Sequence, residues 1–275
     1  MRFVAKSNKV GILNVPIDNL SMQELLEELQ SGLLLTPNVD HLMNLQRDAE
    51  FHRIYATADY RVCDSQILMY AAQFLGTPLK EKVSGSDFFP RFCEYHRDSP
   101  HISIFLLGGA PGVADQARSR LNSRVGRNLI IASHSPSFGF EQNEAECLDI
   151  VELINQSKAT VLAVGVGSPK QEKWIHRHRD QLPHVKIFMA IGATIDFEAG
   201  VIRRAPKWMS HLGIEWMYRI ATDPKRLWKR YLIEDVPFFW LLLKQKFGFY
   251  VCPFSDISGR STATKGMSRV RKAKT

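Results

Sequence analysis

The hydrophobic pattern of this chain changes period several times, and each change marks an element. Ser21-Met22-Gln23-Glu24 has the spacing of a capping box and opens a helix that runs to about Gln30. Leu33–Thr36 is a short apolar run stopped by Pro37, a strand, and His41 to about Thr57 has the periodicity of one helix. Tyr60–Cys63 reads as a strand ending at Asp64. Ser65 can cap a helix over Gln66–Phe74, which Gly76 stops, and another helix runs from Asp87 to Arg97. From His101 the alternation is regular. Strands at Ile102–Leu107, Leu129–Ala132, Thr160–Val164 and Lys186–Ile191 alternate with helices at Val113–Leu121, Glu144–Gln156 and Lys170–Leu182. Strands separated by helices predict βαβ units. The fold class expected is α/β: a Rossmann-like parallel-sheet core, followed by a basic, aromatic-rich helical appendage at the carboxyl end.

Three of these strands run into glycine. Ile102–Leu107 meets Gly108-Gly109-Ala110-Pro111-Gly112, Val161–Val164 meets Gly165-Val166-Gly167-Ser168-Pro169, and Ile187–Ile191 meets Gly192-Ala193-Thr194 with Asp196 just beyond. Glycine lets a ligand approach the backbone, Pro169 stands where a helix would begin, and a helix N-terminus favours negative charge. Several such ends side by side would make one crevice at the carboxyl edge of the sheet, where open α/β folds bind ligands. Any one of them is equally the composition of an ordinary tight turn.

Beyond Gly200 the character shifts. Trp208, Trp216, Tyr218, Trp228, Tyr231, Phe238, Phe239 and Trp240 crowd one region that holds four of the five tryptophans. Arg203, Arg204, Lys207, Arg219, Lys225, Arg226, Lys229 and Arg230 are interleaved with them, and after Gly259 the tail is basic with no acid. The apolar run Val236–Leu243 is far shorter than the roughly 20 residues that cross a bilayer. It suits an interfacial helix with aromatic rings at headgroup level, or a helix packed on the domain with its aromatics in the core. The organisation expected is a core over 1–202, a membrane-associating helical appendage over 203–254 and a basic disordered tail over 255–275.

Composition narrows the class. Hydrophobic content of 45% with 23% charged residues is that of a globular protein. The net charge of +8, concentrated in the carboxyl third, calls for a polyanionic partner: nucleic acid, an anionic membrane or a phosphorylated substrate. Four scattered cysteines without metal-ligand spacing read as buried thiols in a reducing compartment. The amino terminus lacks the apolar stretch of a signal peptide, so the expectation is cytoplasmic.

Asp64 falls at a strand end, the working position of an α/β domain, with Thr36 and Asn38 at the end of the preceding strand. A carboxylate with two neutral hydrogen-bonding side chains suits the binding of sugar hydroxyls and the deprotonation of one of them. An Asp in that position can equally be a helix cap. No G-x-G-x-x-G is present, which disfavours a nicotinamide oxidoreductase, and no G-x-x-x-x-G-K-[ST], which removes a P-loop NTPase. No D-x-D occurs, so the usual metal clamp on a nucleotide-sugar diphosphate is missing. His176 and His178 are two apart, wrong for ligands on one helix face, and are expected on a solvated surface. A basic nucleic-acid-binding module is the rival reading of the carboxyl third, without a recognisable motif to support it.

Six ordered segments together resemble the WecG/TagA/CpsF family of bacterial glycosyltransferases. They are LLLTPNVDHL, VCDSQILMYAAQFLGTPLKEKVSGSDFF, FLLGGAPGVA, VGVGSPKQEKWI, IGATIDFEAGVIRRAPKW and GIEWMYRIATDPKRLWKRYL, spanning about Ile12 to about Tyr231. The resemblance implies an inverting, metal-independent transfer of a sugar from a UDP-sugar (N-acetylmannosamine-type, N-acetylmannosaminuronate or hexose) to a polyprenyl-diphosphate-linked saccharide. It implies peripheral binding to the inner face of the cell membrane, a role in teichoic-acid-like wall, capsule or exopolysaccharide synthesis, no cofactor and no nucleic acid. A homo-oligomer is compatible with it. By matching position, Asp64 corresponds to the catalytic base. Thr36, Asn38, Gln171 and Asp196 match the sugar and nucleotide pocket, beside Gly108, Gly109, Gly165 and Gly167 at the strand ends. Arg219, Arg226 and Arg230 match basic residues that hold diphosphate near the membrane. The chain departs from the family pattern at Asp64-Ser65, where many members have Asp-Gly, and at Glu81-Lys82, where many have Glu-Arg.

Overall fold

In the computed structural model, which describes residues 8–254 apart from the side chains of Lys207, Ser210, His211 and Arg226, the chain opens on an antiparallel hairpin. Its strands are β1 (Lys9–Ile12) and β2 (Val15–Asp18). Helix α1 (Met22–Glu28) carries the expected capping box, with Ser21 N–H donating to the Glu24 carboxylate at 2.8 Å and Glu24 N–H to the Ser21 hydroxyl. There follow β3 (Gly32–Leu35), α2 (Val39–Asn44), α3 (Ala49–Thr57), β4 (Tyr60–Arg61), α4 (Gln66–Leu75) and α5 (Gly85–Tyr95). The regular alternation comprises β5 (Ile104–Gly108), α6 (Val113–Val125), β6 (Ile130–His134), α7 (Glu144–Ser157), β7 (Val161–Gly165), α8 (Lys170–His178), β8 (Ile187–Ala190) and α9 (Thr194–Ala199). The chain continues through α10 (Lys207–Leu212), α11 (Glu215–Thr222), α12 (Pro224–Lys229), a π-helical turn (Arg230–Glu234) and α13 (Pro237–Lys246). The tail expected over 255–275 lies outside the described residues.

Strands β3 to β8 form one six-stranded parallel sheet in the order β4-β3-β8-β7-β5-β6. Helices cover both faces, so the strands read as continuous apolar runs. Alternate side chains still go to different cores. Leu33, Leu35, Phe105, Leu107, Leu162, Val164 and Phe188 join the cluster beneath α2, α3, α4, α7 and α8. Leu34, Ile104, Leu106, Val161, Ala163, Ile187 and Met189 join the one beneath α1, α5, α6 and α9. Cys63, Cys93 and Cys147 are buried thiols, as expected, and Cys252 is half-buried.

Four features differ from the pattern reading. The single helix over His41–Thr57 is two, because two caps compete for it: Asn38 Oδ1 accepts His41 N–H, and Asp48 Oδ1 accepts Phe51 N–H to start again. The opening hairpin has no counterpart in the expected elements. It is held by Asp18, whose Oδ2 accepts Arg61 N–H at 2.8 Å, while Arg61 Nε donates to Pro16 O, so the hairpin covers the edge strand β4. His176 is exposed as expected, but His178 is buried with its ring 4.8 Å from that of Trp174. The run Val236–Leu243 has two faces: Phe238 and Leu242 enter the core, while Phe239 and Trp240 are more than half exposed.

Candidate active site

The strand order brings the carboxyl ends of β4, β3, β8, β7 and β5 side by side along one edge. Asp64 follows β4, Thr36 and Asn38 follow β3, and Gly192 and Asp196 follow β8. Gly165, Gly167 and Gln171 belong to the end of β7 and the turn after it, Gly108 and Gly109 to the end of β5. The chain leaves β5 for β6 on one side and β7 for β8 on the other, so the switch point of the sheet falls between Gly108 and Gly165. These glycines serve close approach: a Cβ at Gly165 would stand 2.6 Å from the Gly192 carbonyl oxygen, and one at Gly108 would collide with the Gly165 carbonyl. Gly167, with φ of 89°, has open space where a side chain would be.

Asp64 is fixed by its backbone, whose N–H donates to Pro37 O at 2.9 Å and ties the β4 and β3 ends together. Among the described residues no hydrogen bond reaches its carboxylate, and Ser65 makes the N-cap of α4 without a side-chain bond. Burial pushes the Asp64 carboxyl up to about 7; Arg219 and Lys82 oppose that rise, and Glu215 and Asp87 add to it.

Thr36 is buried, its hydroxyl facing Gly85 at the start of α5. Asn38 gives its amide oxygen to the cap of α2. Gln171 is 2% exposed and spans two elements: its Oε1 accepts Gly192 N–H at 3.1 Å, and its Nε2 donates to Glu172 Oε1 at 2.9 Å. It thereby fixes the turn after β8 to the start of α8. Asp196 is half-buried on the first turn of α9, and its carbonyl accepts Val201 N–H at 3.0 Å.

The basic segment crosses the same edge. Arg204 pairs with Asp87 at 2.6 Å and bonds the Ser86 carbonyl at the start of α5. Arg204 and Arg219 both lie over the Phe197 ring of α9, at 5.4 and 5.9 Å. Arg219 donates from Nε and Nη2 to Glu215 Oε1, at 2.9 and 2.6 Å. Arg230 stands apart from this group, 3.2 Å from Asp40 of α2. The side chain of Arg226 lies outside the described set. Among the described residues no three His, Cys, Asp or Glu side chains are grouped to hold a metal ion.

Several polar residues around the crevice escape a reading of the sequence. Glu172 is wholly buried; burial pushes its carboxyl up to about 7, and its Oε2 has no hydrogen-bond partner among the described residues. His41 and Tyr55 meet at 2.6 Å in the same interior, and Asp40 sits two residues after Asn38. The only signal for Glu172 was its place beside Gln171. A glutamate on a helix is exposed far more often than not.

A glycine-lined switch point, a strand-end carboxylate and the side chains of Arg204 and Arg219 thus lie along one edge of a parallel α/β sheet. A model of the glycosyl transferase WecG/TagA/CpsF family matches residues 10–251 of the 275, and the chain belongs to that family. It is a glycosyltransferase of cell-surface polysaccharide synthesis, using a nucleotide-sugar donor and a lipid-linked acceptor. Among the described residues no helix is long and apolar enough to cross a membrane.

Proposed function

We propose that the protein moves a sugar from a UDP-sugar to a polyprenyl-diphosphate-linked saccharide in one inverting displacement, with Asp64 as the base. The Asp64 carboxylate takes the proton of an acceptor hydroxyl as that oxygen attacks the anomeric carbon. The bond from that carbon to the β-phosphate oxygen breaks, and UDP leaves with the electron pair. Thr36 and Asn38 bind sugar hydroxyls, and Asp196 lines the nucleotide side. Gln171 acts by holding the Gly192 turn. Backbone N–H groups at Gly108, Gly109, Gly165 and Gly167, with Arg219 and Arg226, stabilise the diphosphate as it gains charge. The single observation that carries this reading is the Asp64 carboxylate. It is at a strand end beside two neutral hydrogen-bonding side chains, unbonded among the described residues, with a carboxyl raised to about 7.

The membrane face of the reading rests on the carboxyl segment. Trp228, Leu232, Ile233, Phe239, Trp240, Phe247 and Phe249 are all exposed there, with Lys225, Lys229, Lys244 and Lys246 among them. Apolar rings flanked by lysines fit an anionic interface, each basic residue near the surface adding about 1 kcal/mol.

The test is a panel of UDP-sugars against a membrane lipid extract, with mass spectrometry of the lipid product. Transfer of a hexose or N-acetylhexosamine unit supports the reading; no lipid product from any UDP-sugar overturns it. Because the chain has no D-x-D, the same transfer is expected to persist in EDTA, and a loss that Mg²⁺ or Mn²⁺ restores would rule out the metal-free account.

The pH profile supplies a further check. A base with a raised carboxyl is ionised above its folded value and protonated below it, so activity is lost as pH falls. The acid limb of kcat/KM is expected near pH 7, about three pH units above that of an ordinary aspartate. Glu172 and Asp235 are also raised to about 7 by burial, so Glu172→Gln and Asp235→Asn should keep the limb in place.

A further inference from the structure

Arg230 is spoken for within the fold. It opens the π-helical turn between α12 and α13, and its Nη2 lies 3.2 Å from Asp40 Oδ2 on the first turn of α2. The pair is largely enclosed, with the Asp40 side chain 14% exposed and that of Arg230 30%. Asp235 closes the same turn: its N–H donates to Arg230 O at 2.9 Å, and it is 7% exposed. Arg230 Nε and Asp235 Oδ1 are both buried without a hydrogen-bond partner among the described residues. Glu234 and Arg47 complete the charges around the cluster, and the buried His41 beside it is held neutral by burial and by Arg230 itself.

We propose that Arg230 is a positioning residue, a latch that fastens the basic segment to the core through Asp40, and that it does not grip diphosphate. Moving this guanidinium onto a phosphate would strip the enclosed Asp40 of its ion-pair partner and the buried Asp235 of the cation beside it, and an enclosed carboxylate that loses its partner is costly. The latch holds the end of α12 against the turn that carries Asn38, two residues from Asp40. The segment that brings Arg219 toward Asp64 is thus tied down at its far end by an ion pair that spans 190 positions of sequence, from 40 to 230. Diphosphate is left to the arginines that remain. The kinetic arm of the test rests on the UDP-sugar reading above, whereas deuterium exchange reads the latch whichever residue is the base and whichever sugar is moved.

The test compares Asp40→Asn, Arg230→Gln and the charge-swapped Asp40→Arg/Arg230→Asp in the full chain. Two readouts are used: deuterium uptake of backbone amides over residues 215–236, and kcat and KM for the UDP-sugar. Each single variant is expected to speed exchange in that segment by about tenfold or more, because a local opening equilibrium is read directly by exchange. Each should also lower kcat/KM to a similar extent, and the swap should return both to within about threefold of wild type, since a coupled pair is non-additive. If Asp40→Asn matches wild type in both readouts while Arg230→Gln alone raises KM, Arg230 is a diphosphate ligand and the latch is refuted. A swap that exchanges as fast as the singles refutes it too.

Discussion

Asp64→Asn is expected to lower kcat by roughly 10²–10⁴-fold while KM for the UDP-sugar and the melting temperature stay close to wild type, the range for loss of a general base. The substitution is nearly isosteric, and the backbone bond from Asp64 to Pro37 that fixes the turn is untouched. No hydrogen bond to the carboxylate is lost among the described residues, so a structural account predicts little change. The amide cannot accept the acceptor's proton, and the chemical step slows. The acid limb near pH 7 should vanish with it, because the group that titrates there is gone. Steady-state kinetics over pH 5–9 decides the matter. A variant that keeps turnover within a fewfold of wild type would move the base elsewhere, with Asp196 after β8 the first alternative.

The second large effect concerns the carboxyl segment. A chain ending at residue 202 is expected to fold poorly or aggregate, because α13 contributes to the core. Phe238 is fully buried and Leu242 is 8% exposed. Gln245 bridges the opening hairpin, accepting Leu13 N–H at 2.7 Å and donating to Gly11 O at 2.9 Å. Lys246 Nζ donates to Phe74 O at the end of α4. Emptying one buried Phe site costs about 3–5 kcal/mol and a Leu site about 2–5. Together these approach the 5–15 kcal/mol that a whole domain has in reserve. Thermal unfolding of the truncated chain checks this, and a cooperative melt at the wild-type temperature would refute it. Changing the outward face instead, with Phe239 and Trp240 to Glu, should leave the melt in place and weaken sedimentation with anionic vesicles, so membrane docking can be separated from folding.

Much of the architecture was legible because it is written in local spacing. The capping box at Ser21 to Glu24, the glycine ends of β5, β7 and β8, and the alternation from His101 onward each depend on residues within a few positions of one another. The break between α2 and α3 was also local, and was missed because helical periodicity continues across it. Only the side-chain caps at Asn38 and Asp48 reveal it. The hairpin was hidden because its hold on the sheet runs through Asp18 and Arg61, charged residues 43 positions apart that a hydrophobic pattern does not pair.

What the sequence by itself determined is the set of chemical groups at strand ends and their family pattern. Asp64, Thr36 and Asn38 are legible there, and so are the basic segment and the missing metal motif. Tertiary structure alone decided the strand order that lines these ends up, and the burial that raises the Asp64 and Glu172 carboxyls. It also decided that Gln171 spends its amide on Gly192 and Glu172, and that Arg230 pairs with Asp40 instead of standing with Arg219. The reason is physical. A turn or a cap is fixed by neighbours in the chain, whereas the charge state of a carboxyl and the partner of an arginine depend on how far water has been removed and on which distant helix is packed in its place.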